Sequence, residues 1–495
     1  MKPSAQSPKI AVFGGGLAGL AASCALASSG FRVSLFERRP YLGGRASSYE
    51  HPGTGEIVDN CQHVLLGCCT NLLDFYRRTG VEDKIRWWDR LTFLEPGGRS
   101  SMIEACRLPA PLHALPSFFR APCLKFRDKV AIGVALAALA AKIPDEDTQS
   151  FLSWLRVHGQ TTRSIEHFWK PVLVSALNED VGRVSVPSAA QVFRESFLKS
   201  PSAGRIGIPT IPLSDLYAKA GEHICVRGGE VRLRSNLESY RAEFSTVKLC
   251  VSGREEHFDF VVLALPFDAL QRLLPQTSAA EPLRQALSHF ETSPITGIHL
   301  WFDRQVTEME HAVLLDRTIQ WMFQKSKYLV RGSKPGVPSQ HGQESALDGS
   351  ENVPGRSDSF TGHNAGSYIE LVVSSSRNLV QKSRTEIVDL SLRELGEFFP
   401  AARDAKLVKS TVIKEVHATY SPRPGIEAYR PRPETVWPRI FLAGDWTATG
   451  WPATMESAVR SGYLAAQCVA RIAGQRDAAY LVPNLPAAGF MRLFG

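Results

Sequence analysis

Two short apolar runs, separated by a stretch of small residues, occupy the first 40 positions of the chain. Residues 10–13 (Ile-Ala-Val-Phe) lead into Gly14-Gly-Gly-Leu-Ala-Gly19, and the second run, 31–36, ends at Glu37. Short apolar runs of this kind are typical of strands buried on both faces, and the small residues between them favour a closely packed helix. The pattern predicts a parallel βαβ unit with a glycine-rich turn after its first strand.

The glycine spacing and the acid that follows it predict a dinucleotide site. In a Gly-x-Gly-x-x-Gly turn, Gly14 permits the sharp turn, Gly16 lets the backbone approach a pyrophosphate, and Gly19 lets the helix pack closely on the sheet. Glu37 follows about 20 residues later, where a carboxylate accepts hydrogen bonds from a ribose. Because the same charge repels a 2′-phosphate, NADP is disfavoured, and the pattern favours a redox flavoenzyme.

Later strand-like runs predict that this domain is discontinuous in sequence. They occur at 228–240, at 258–266 and at 440–445. We therefore predict an α/β fold in which a Rossmann-type FAD-binding domain carries an inserted α+β substrate domain. The predicted boundaries are 1–90, 215–266 and 426–475 for the FAD-binding domain, and 91–214 and 267–425 for the substrate-binding domain.

Two further segments stand apart from these domains. Residues 331–366 are rich in Gly, Ser and Pro and nearly lack large apolar side chains, so we predict a disordered insertion. It lies between strand-like runs at 318–323 and 368–373, which predicts a long hairpin loop. Residues 476–495 form a C-terminal tail that places Phe490 and Phe494 close to an arginine. This pattern fits docking on the protein and insertion into a membrane interface equally well.

Composition excludes several classes of protein. The 495 residues are 44% hydrophobic and 21% charged, which is ordinary for a globular protein. The net charge of +8 is scattered without basic, aromatic-rich runs, so nucleic acid is not an expected partner, although an anionic lipid surface or an acidic partner is compatible with it. The nine cysteines form no metal-binding pattern, and we predict no metal site and a reducing cytoplasmic location. The N-terminus lacks the apolar core of a secretory signal.

The most apolar stretch, 130–141, is shorter than the roughly 20 residues that cross a bilayer. It is compatible with a buried helix, with the wall of a hydrophobic tunnel and with a membrane-facing surface. We therefore expect no transmembrane segment and leave peripheral membrane contact open.

Two further motifs resemble the amine oxidase and carotenoid desaturase superfamily. Gly43-Gly44-Arg45 follows the βαβ unit, and Leu-Ala-Gly-Asp445 is followed by Gly-Trp-Pro-Ala-Thr454-Met455. In that superfamily the first motif lines the flavin, the acid of the second binds the ribitol chain, and the next helix begins at the flavin ring. The resemblance implies that FAD is the cofactor and that Gly43, Gly44, Asp445 and the Thr454–Met455 backbone contact it. Arg45 is the expected positive partner of the pyrophosphate.

A narrower resemblance covers nearly the whole chain. The run Asp59-Asn-Cys-Gln62-His63 with its following Gly-Cys, the segment 371–379 and the tail at 485–493 resemble the hydroxysqualene dehydroxylases of bacterial hopanoid pathways. This resemblance implies that reduced FAD removes the hydroxyl of hydroxysqualene to give squalene. His63 is the candidate proton donor or orienting group, with Gln62 beside it, although a contact of His63 with flavin or backbone is an equal alternative. Asp59 is also compatible with a structural role in a turn.

Such a reaction requires protonation of the leaving oxygen and a dry apolar channel. Several apolar groups are compatible with that channel or with ordinary core packing: Trp87-Trp88, Phe118-Phe119, the helix at 130–141, and Trp301-Phe302. No separate nicotinamide-binding motif is present, so the identity of the electron donor is left open. The sequence also leaves open a carotenoid-type desaturase or amine oxidase, and a flavin-binding isoprenoid carrier without catalytic activity.

Overall fold

The computed structural model describes residues 7–51, 56–142, 144, 147–329 and 366–494. The predicted insertion at 331–366 lies outside the described residues except for its last position. The strands that flank it, Trp321–Gln324 and Tyr368–Ser374, pair antiparallel with Met322 opposite Leu371. The apolar runs on either side of the insertion are therefore neighbouring strands of one sheet, as predicted.

A five-stranded parallel sheet forms the first layer. Its strands in spatial order are Glu230–Arg232, Arg32–Phe36, Lys9–Phe13, Phe260–Leu263 and Ile440–Leu442. The side chains of the central strand are buried after its first residue, because the layer is covered on both sides. The sheet thus draws its strands from three separate stretches of sequence, as the apolar runs predicted.

The predicted strand at 228–240 divides into two elements. Glu230–Arg232 joins the parallel sheet, whereas Leu237–Ala242 pairs antiparallel with Val247–Val251, which in turn pairs with Arg254–Phe258. Arg234, between the two elements, has a left-handed backbone with a φ of 54°. This turn redirects the chain out of the first sheet and into the second.

Two helices from opposite ends of the chain pack against each other beside the parallel sheet. They are Leu17–Ser28 and Met455–Ile472. A Cβ atom at Gly462 would lie 2.1 Å from the carbonyl oxygen of Ala18, so only glycine allows the backbones this close. Both helices contribute to one hydrophobic core together with the sheet. The C-terminal helix is therefore an integral part of the nucleotide-binding layer.

A seven-stranded mixed sheet forms the second unit. Its strands in spatial order are Leu407–Tyr420, Thr292–Phe302, Tyr368–Ser374, Trp321–Gln324, His311–Leu314, Arg90–Leu94 and Ser100–Glu104. The neighbouring helical region comprises Leu115–Arg120, Phe126–Ala141, Phe151–Val157, the π-helix Ile165–Trp169, Lys170–Leu177, Val186–Phe193 and the π-helix Arg194–Leu198. The remaining longer helices are Thr70–Thr79, Leu213–Val226, Phe267–Leu273, Glu281–Ser288 and Arg384–Phe398. The fold class is therefore the predicted one, a Rossmann-type α/β domain with an inserted α+β domain. The exact residue boundaries of the two domains stay a prediction.

Short strands connect the two units around the predicted site. Ser48–Glu50 pairs with Ile57–Asp59, while Leu65–Leu66 and Ile85–Trp88 both pair with Ile206–Pro209. The segment between the strands ending at Asp59 and beginning at Leu65 contains the Gln-His motif. It is therefore held at both ends by sheet pairing.

Within the described ranges, no helix combines the length and apolar character needed to cross a membrane. The apolar stretch at 130–141 belongs to the helix Phe126–Ala141, which buries Ile132, Ala135 and Leu139 and exposes its opposite side. All nine cysteines are free thiols.

Candidate active site

The glycine-rich turn adopts the geometry that its sequence predicts. Gly14 has a φ of 108°, and a Cβ atom there would lie 2.3 Å from the carbonyl oxygen of Ala264 on the neighbouring strand connection. At Gly19 a Cβ atom would meet the carbonyl oxygen of Gly14 at 1.8 Å, so this glycine lets the helix lie against the turn. Both positions exclude a side chain. The turn therefore presents bare backbone at the N-terminus of the helix.

Gly16 differs from the other two glycines because its missing side chain leaves open space. A Cβ atom there would meet the Cα atom of Gly44 at 3.8 Å and no other described atom within 4 Å. Gly16 is also the N-cap of the helix Leu17–Ser28, and no side chain caps that end. Uncapped backbone N–H groups beside open space suit a phosphate group, so this position fits the predicted dinucleotide.

Glu37 lies at the end of the second strand, as predicted, and its carboxylate is held by backbone. The N–H of Gly15 donates to Oε2 at 2.6 Å, and the N–H of Arg39 donates to Oε1 at 2.8 Å. The residue is buried and lines the same cavity as Gly14 and Gly16. The carboxylate is thus fixed in the position from which it would accept ribose hydroxyl groups.

Gly43 and Gly44 bring the next loop against the glycine turn. The N–H of Gly43 donates to the carbonyl of Gly15 at 2.8 Å, and Gly44 has a φ of 63°. Arg45 follows, and its guanidinium donates to Asp445 Oδ1 at 2.5 Å and to the carbonyl of Ala418 at 2.8 Å. The structure therefore joins two predicted cofactor residues in an ion pair. The predicted contact of Arg45 with a pyrophosphate stays a prediction.

The second predicted helix N-terminus also lies at the cavity. Thr454 is the N-cap of Met455–Ile472, and its Oγ1 accepts a hydrogen bond from the N–H of Ser457 at 3.2 Å. An aspartate at the position of Asp445 could also cap a helix. In the structure its carboxylate pairs with Arg45. Thr454, Met455 and Asp445 all line the cavity that contains the glycine turn. Two helix N-termini therefore face one elongated space, and their partial positive charges suit an anionic dinucleotide.

This cavity has a volume of about 500 Å³ and continues beyond the polar motifs into an apolar region. The apolar wall comes from the helices of the inserted unit and from the seven-stranded sheet, and it includes Leu91, Phe93, Val192, Phe197, Trp321 and Val372. Sites for apolar ligands are typically lined in this way, with few polar groups. One continuous cavity thus combines a dinucleotide-like end with an apolar end.

The apolar groups considered for a channel in the sequence have other positions. Among the described residues that line the cavity, none belongs to Trp87-Trp88, Phe118-Phe119, the stretch 130–141 or Trp301-Phe302. Trp88, Phe118 and Phe302 are instead buried in three separate hydrophobic cores. The channel interpretation of these groups is therefore wrong, because their side chains pack in cores behind the cavity wall or at the surface.

Gln62 and His63 both line the cavity, as predicted for site residues. His63 Nδ1 lies 2.8 Å from the carbonyl oxygen of Cys61 and must donate to it, because a carbonyl only accepts. Neutral His63 therefore carries its proton on Nδ1 and leaves Nε2 as an acceptor, and no described residue forms a hydrogen bond with Nε2. Burial lowers the pKa of His63 below its ordinary value of 6.5.

Gln62 connects His63 to a buried cluster of charges behind the cavity wall. Its Nε2 donates to the carbonyl of His63 at 3.1 Å, and its Oε1 accepts from Lys325 Nζ at 2.8 Å. Lys325 Nζ also lies 2.7 Å from Asp59 Oδ2 and 3.3 Å from Glu370 Oε2. All four residues of this Lys325 cluster, Asp59, Gln62, Lys325 and Glu370, are buried. The cluster therefore fixes Gln62 and, through it, the backbone of His63.

The Lys325 cluster combines two carboxyl groups with one ammonium group. Burial alone would lower the pKa of Lys325, but Asp59 and Glu370 raise it above its ordinary value. Burial would raise the pKa of Asp59, but Lys325 and the hydrogen bond from Ser48 lower it. Glu370 is left as the weaker partner, and burial raises its pKa from 4.5 to about 7. The cluster therefore takes up a proton at Glu370 near neutral pH.

A pH-dependent stability follows from Glu370. Because its folded-state pKa is raised, the folded protein loses stability as pH rises from about 4.5 to about 7. We expect Glu370→Gln to remove this loss, so that the stability of the variant relative to the parent protein rises by roughly 3 kcal/mol between pH 4.5 and pH 8. Urea unfolding at several pH values measures this difference.

Glu179 provides the opposite control for that experiment. It is also fully buried, but Arg377 donates to both of its carboxylate oxygens, at 2.6 and 2.7 Å. Burial opposes this pairing, yet Arg377 and Ser421 lower the pKa of Glu179, so its stabilisation is present above about 4.5 and lost in acid. Glu179→Gln should therefore cost stability at pH 8. A Glu370→Gln variant with the same pH dependence as the parent protein would contradict the assignment.

Gln62 and His63, the candidate residues from the sequence, line the cavity, whereas Lys325 and Glu370 were not predicted from the sequence. Glu370 interrupts the apolar strand Tyr368–Ser374, and a carboxylate in a buried strand signals a partner. Lys325 follows the strand Trp321–Gln324 within a polar run, where a solvated side chain is the ordinary expectation. The predicted hairpin makes the two strands neighbours, but only the fold reveals that Lys325 lies between Asp59 and Glu370.

Comparisons with known proteins show the family to which the chain belongs. A family model described as flavin containing amine oxidoreductase matches residues 17–470. The chain is 27% identical to 15-cis-phytoene desaturase of Synechococcus elongatus, covering 93% of this chain and 95% of that protein. It is 24% identical to zeta-carotene desaturase of a Synechocystis species, covering 93% and 97%.

Solved structures share the fold at low sequence identity. Putrescine oxidase bound to putrescine matches with a TM-score of 0.66 and 15% identity, over 94% of this chain and 99% of that chain. A putative protoporphyrinogen oxidase from Exiguobacterium matches with a TM-score of 0.63 and 18% identity, over 95% and 99%. Since the family model spans most of the chain, including the motifs at Gly43-Gly44-Arg45 and at Asp445 to Met455, the cofactor is FAD. The chain belongs to the flavin-containing amine oxidoreductase family and is an FAD-dependent oxidoreductase.

Proposed function

We propose that this enzyme uses reduced FAD to remove the hydroxyl group of hydroxysqualene and release squalene. The observation that carries the proposal is the position of His63, which lies on the wall of a cavity that is lined mainly by apolar side chains beyond the cofactor motifs. An isoprenoid alcohol needs an apolar pocket for its chain and one polar group for its oxygen. The Gln62-His63 block is also the part of the sequence that resembles hydroxysqualene dehydroxylases.

In this proposal, bound FAD supplies the hydride that replaces the hydroxyl group. Gly14, Gly16, Gly19, Glu37, Gly43, Gly44, Arg45, Asp445, Thr454 and Met455 hold the cofactor. When the protonated hydroxyl leaves as water, its carbon becomes a cation. The apolar wall keeps other water away from this carbon, since water would otherwise capture the cation before the hydride is transferred. The chain's own chemical task is then to bind the substrate hydroxyl and to transfer a proton to it.

His63 is the proposed donor of that proton. In its neutral form Nε2 can only accept a hydrogen bond from the substrate hydroxyl, so proton transfer requires the doubly protonated imidazolium. The members of the Lys325 cluster act as positioning residues, because Gln62 donates to the carbonyl of His63 and Lys325 holds Gln62 in place. The protonated form becomes more abundant in acid, and burial places its pKa below 6.5.

A pH profile and a His63 variant test this role. We expect turnover by the reduced enzyme to rise as pH falls through the pKa of His63. His63→Asn should lower turnover by roughly 10²–10⁴-fold and remove the rise in turnover at low pH. His158→Asn is the matched control, because His158 Nδ1 also contacts a carbonyl, that of Trp154, at 2.8 Å without lining the cavity. Full turnover by His63→Asn would exclude His63 as the proton donor.

The function itself is tested with the purified holoenzyme. Its flavin is reduced anaerobically, hydroxysqualene is added, and flavin reoxidation and extracted products are followed together. Reoxidation with stoichiometric squalene supports the dehydroxylase. Stable reduced flavin with unchanged hydroxysqualene contradicts the dehydroxylase. The same result is expected of a flavin-binding isoprenoid carrier without turnover, which a binding assay alone does not distinguish from an enzyme.

A carotenoid-type desaturase is the second candidate. Full-length relatives at 24–27% identity are phytoene and zeta-carotene desaturases, and an isoprenoid chain suits the apolar end equally well. Such an enzyme takes a hydride from its substrate, so oxidised rather than reduced enzyme must react. Reduction of the oxidised flavin by phytoene, with a more unsaturated product, would favour this candidate. The amine oxidase alternative rests on the family match and on the fold shared with putrescine oxidase.

A further inference from the structure

The helix Phe126–Ala141 exposes an apolar face that no described part of the chain covers. Its outward residues recur at helical spacing and are almost all apolar. Phe126 is 73% exposed, Val134 62% and Val130 46%, and Gly133, Ala137, Ala138 and Ala141 are exposed with them. Exposed large apolar side chains that form a continuous face mark an interaction site rather than ordinary surface.

The C-terminal tail extends this face. Met491 is buried among Ala110, Ala140 and Leu198, which anchors the tail beside the last turns of the helix. The tail backbone is fixed as well, because the N–H of Phe490 donates to the carbonyl of Ala110 at 2.8 Å. Even so, Phe490, Leu493 and Phe494 are 52%, 80% and 43% exposed. The tail therefore docks on the protein and presents three large apolar side chains outward.

Exposed basic side chains lie on and beside the helix that forms this surface. Residues 105–142 contain six lysine and arginine residues, of which only Lys129 is buried, and one acid, Asp128, which is also buried. Glu104 and the acidic run 145–147 flank this stretch in sequence. The tail beyond residue 477 adds Arg492 and no acidic side chain. Five exposed basic side chains therefore accompany the apolar patch: Arg107, Arg120, Lys125, Arg127 and Lys142. An apolar patch with a basic rim is complementary to a bilayer that contains anionic lipids.

The patch also adjoins the apolar end of the cavity. The helix Phe126–Ala141 shares a hydrophobic core with Val186–Phe193 and the π-helix Arg194–Leu198. Val192 and Phe197 of those elements belong to the cavity wall. One layer of helices thus separates the exposed patch from the apolar end of the cavity.

We propose that the docking patch, formed by the outer face of Phe126–Ala141 and by Phe490, Leu493 and Phe494, binds the surface of an anionic lipid bilayer. The apolar side chains enter the interfacial region while the surrounding basic groups attract lipid phosphates. This binding is independent of the reaction that the enzyme performs. It would also bring the apolar end of the cavity close to the phase in which isoprenoids dissolve.

Flotation with vesicles tests the proposal on the full-length holoenzyme. We expect binding to vesicles of phosphatidylcholine with phosphatidylglycerol, and much weaker binding to phosphatidylcholine alone or at high salt. Val134→Glu and Leu493→Glu should each weaken partitioning into vesicles roughly tenfold or more. Each variant loses an apolar contact with the bilayer and adds a negative charge. Arg127→Glu should weaken binding to the anionic vesicles alone.

Matched controls lie elsewhere on the surface. Phe244 is fully exposed between the antiparallel strands Leu237–Ala242 and Val247–Val251, and Val226 is 84% exposed. Phe244→Glu and Val226→Glu should leave vesicle binding unchanged. Flavin absorbance and thermal unfolding check that every variant is folded. Equal losses in patch and control variants, or no flotation of the parent protein, would overturn the proposal.

Sedimentation velocity covers a second occupant of the patch. A stable dimer that Val134→Glu or Leu493→Glu converts to a monomer would mean that a second copy of the chain covers the face. That result would also overturn the proposal. A monomer in solution that floats with anionic vesicles supports it.

Discussion

Replacement of Lys325 by methionine is expected to lower the free energy of unfolding by about 3–5 kcal/mol at pH 7. The substitution keeps the length and apolar stem of the side chain but leaves Asp59 and Glu370 buried without their ammonium partner. Protonation relieves this penalty, so the loss should shrink as pH falls towards 5. Chemical unfolding of the parent protein and the variant across this pH range measures the effect.

Lys327→Met is the matched control, two positions away in the same polar run. Lys327 Nζ lies 2.6 Å from Glu308 Oε2, but that carboxylate is 87% exposed and water solvates it when the lysine is removed. We expect little change in stability from this control. A Lys325→Met variant as stable as Lys327→Met would mean that the buried cluster is not charged in the way its contacts indicate.

Gly16→Val is expected to weaken FAD binding by about 100-fold or more, which corresponds to roughly 2.7 kcal/mol. The new side chain enters the open space beside the helix N-terminus, where a pyrophosphate would approach the backbone. Because a Cβ atom at this position has no described neighbour closer than 3.8 Å, the protein without cofactor should keep its thermal stability. Equilibrium dialysis with flavin fluorescence, together with thermal unfolding of the apoprotein, separates the two effects.

Gly14→Val provides the contrast, since a Cβ atom there would lie 2.3 Å from a backbone oxygen in a turn with a φ of 108°. This variant should lose both FAD and apoprotein stability. If Gly16→Val instead retains the parent affinity for FAD, the cofactor does not pass this turn. Loss of apoprotein stability in Gly16→Val would show that the glycine serves the fold rather than the cofactor.

The nucleotide-binding half was largely readable in the sequence because its signals are local. The turn at Gly14, the acid at Glu37 and the apolar runs lie within a single βαβ unit, where spacing alone determines which groups meet. The motif at Asp445 could be added because it is also a short contiguous pattern. By contrast, the split of 228–240 into two strands depends on the left-handed backbone of Arg234. Because this residue is not a glycine, the sequence does not indicate the turn.

The inserted half was less predictable, because its contacts join distant parts of the chain. Asp59 and Lys325 are 266 positions apart, and no local pattern indicates that they form an ion pair. Aromatic pairs such as Trp87-Trp88 were considered for the channel on composition alone, although the cavity is lined by other residues. A hydrophobic side chain suits a core and a channel equally well, so sequence cannot assign it to either without the topology.

The place of the C-terminal helix also has a consequence for biosynthesis. The strand Ile440–Leu442 and the helix Met455–Ile472 complete the layer that begins with the strand Lys9–Phe13. During translation, the emerging N-terminal βαβ unit must therefore wait for nearly the entire polypeptide before its partners leave the ribosome. Contacts between sequence ends close slowly and leave apolar surfaces exposed in the meantime. The complete FAD-binding layer therefore forms only after the helix Met455–Ile472 has been synthesised.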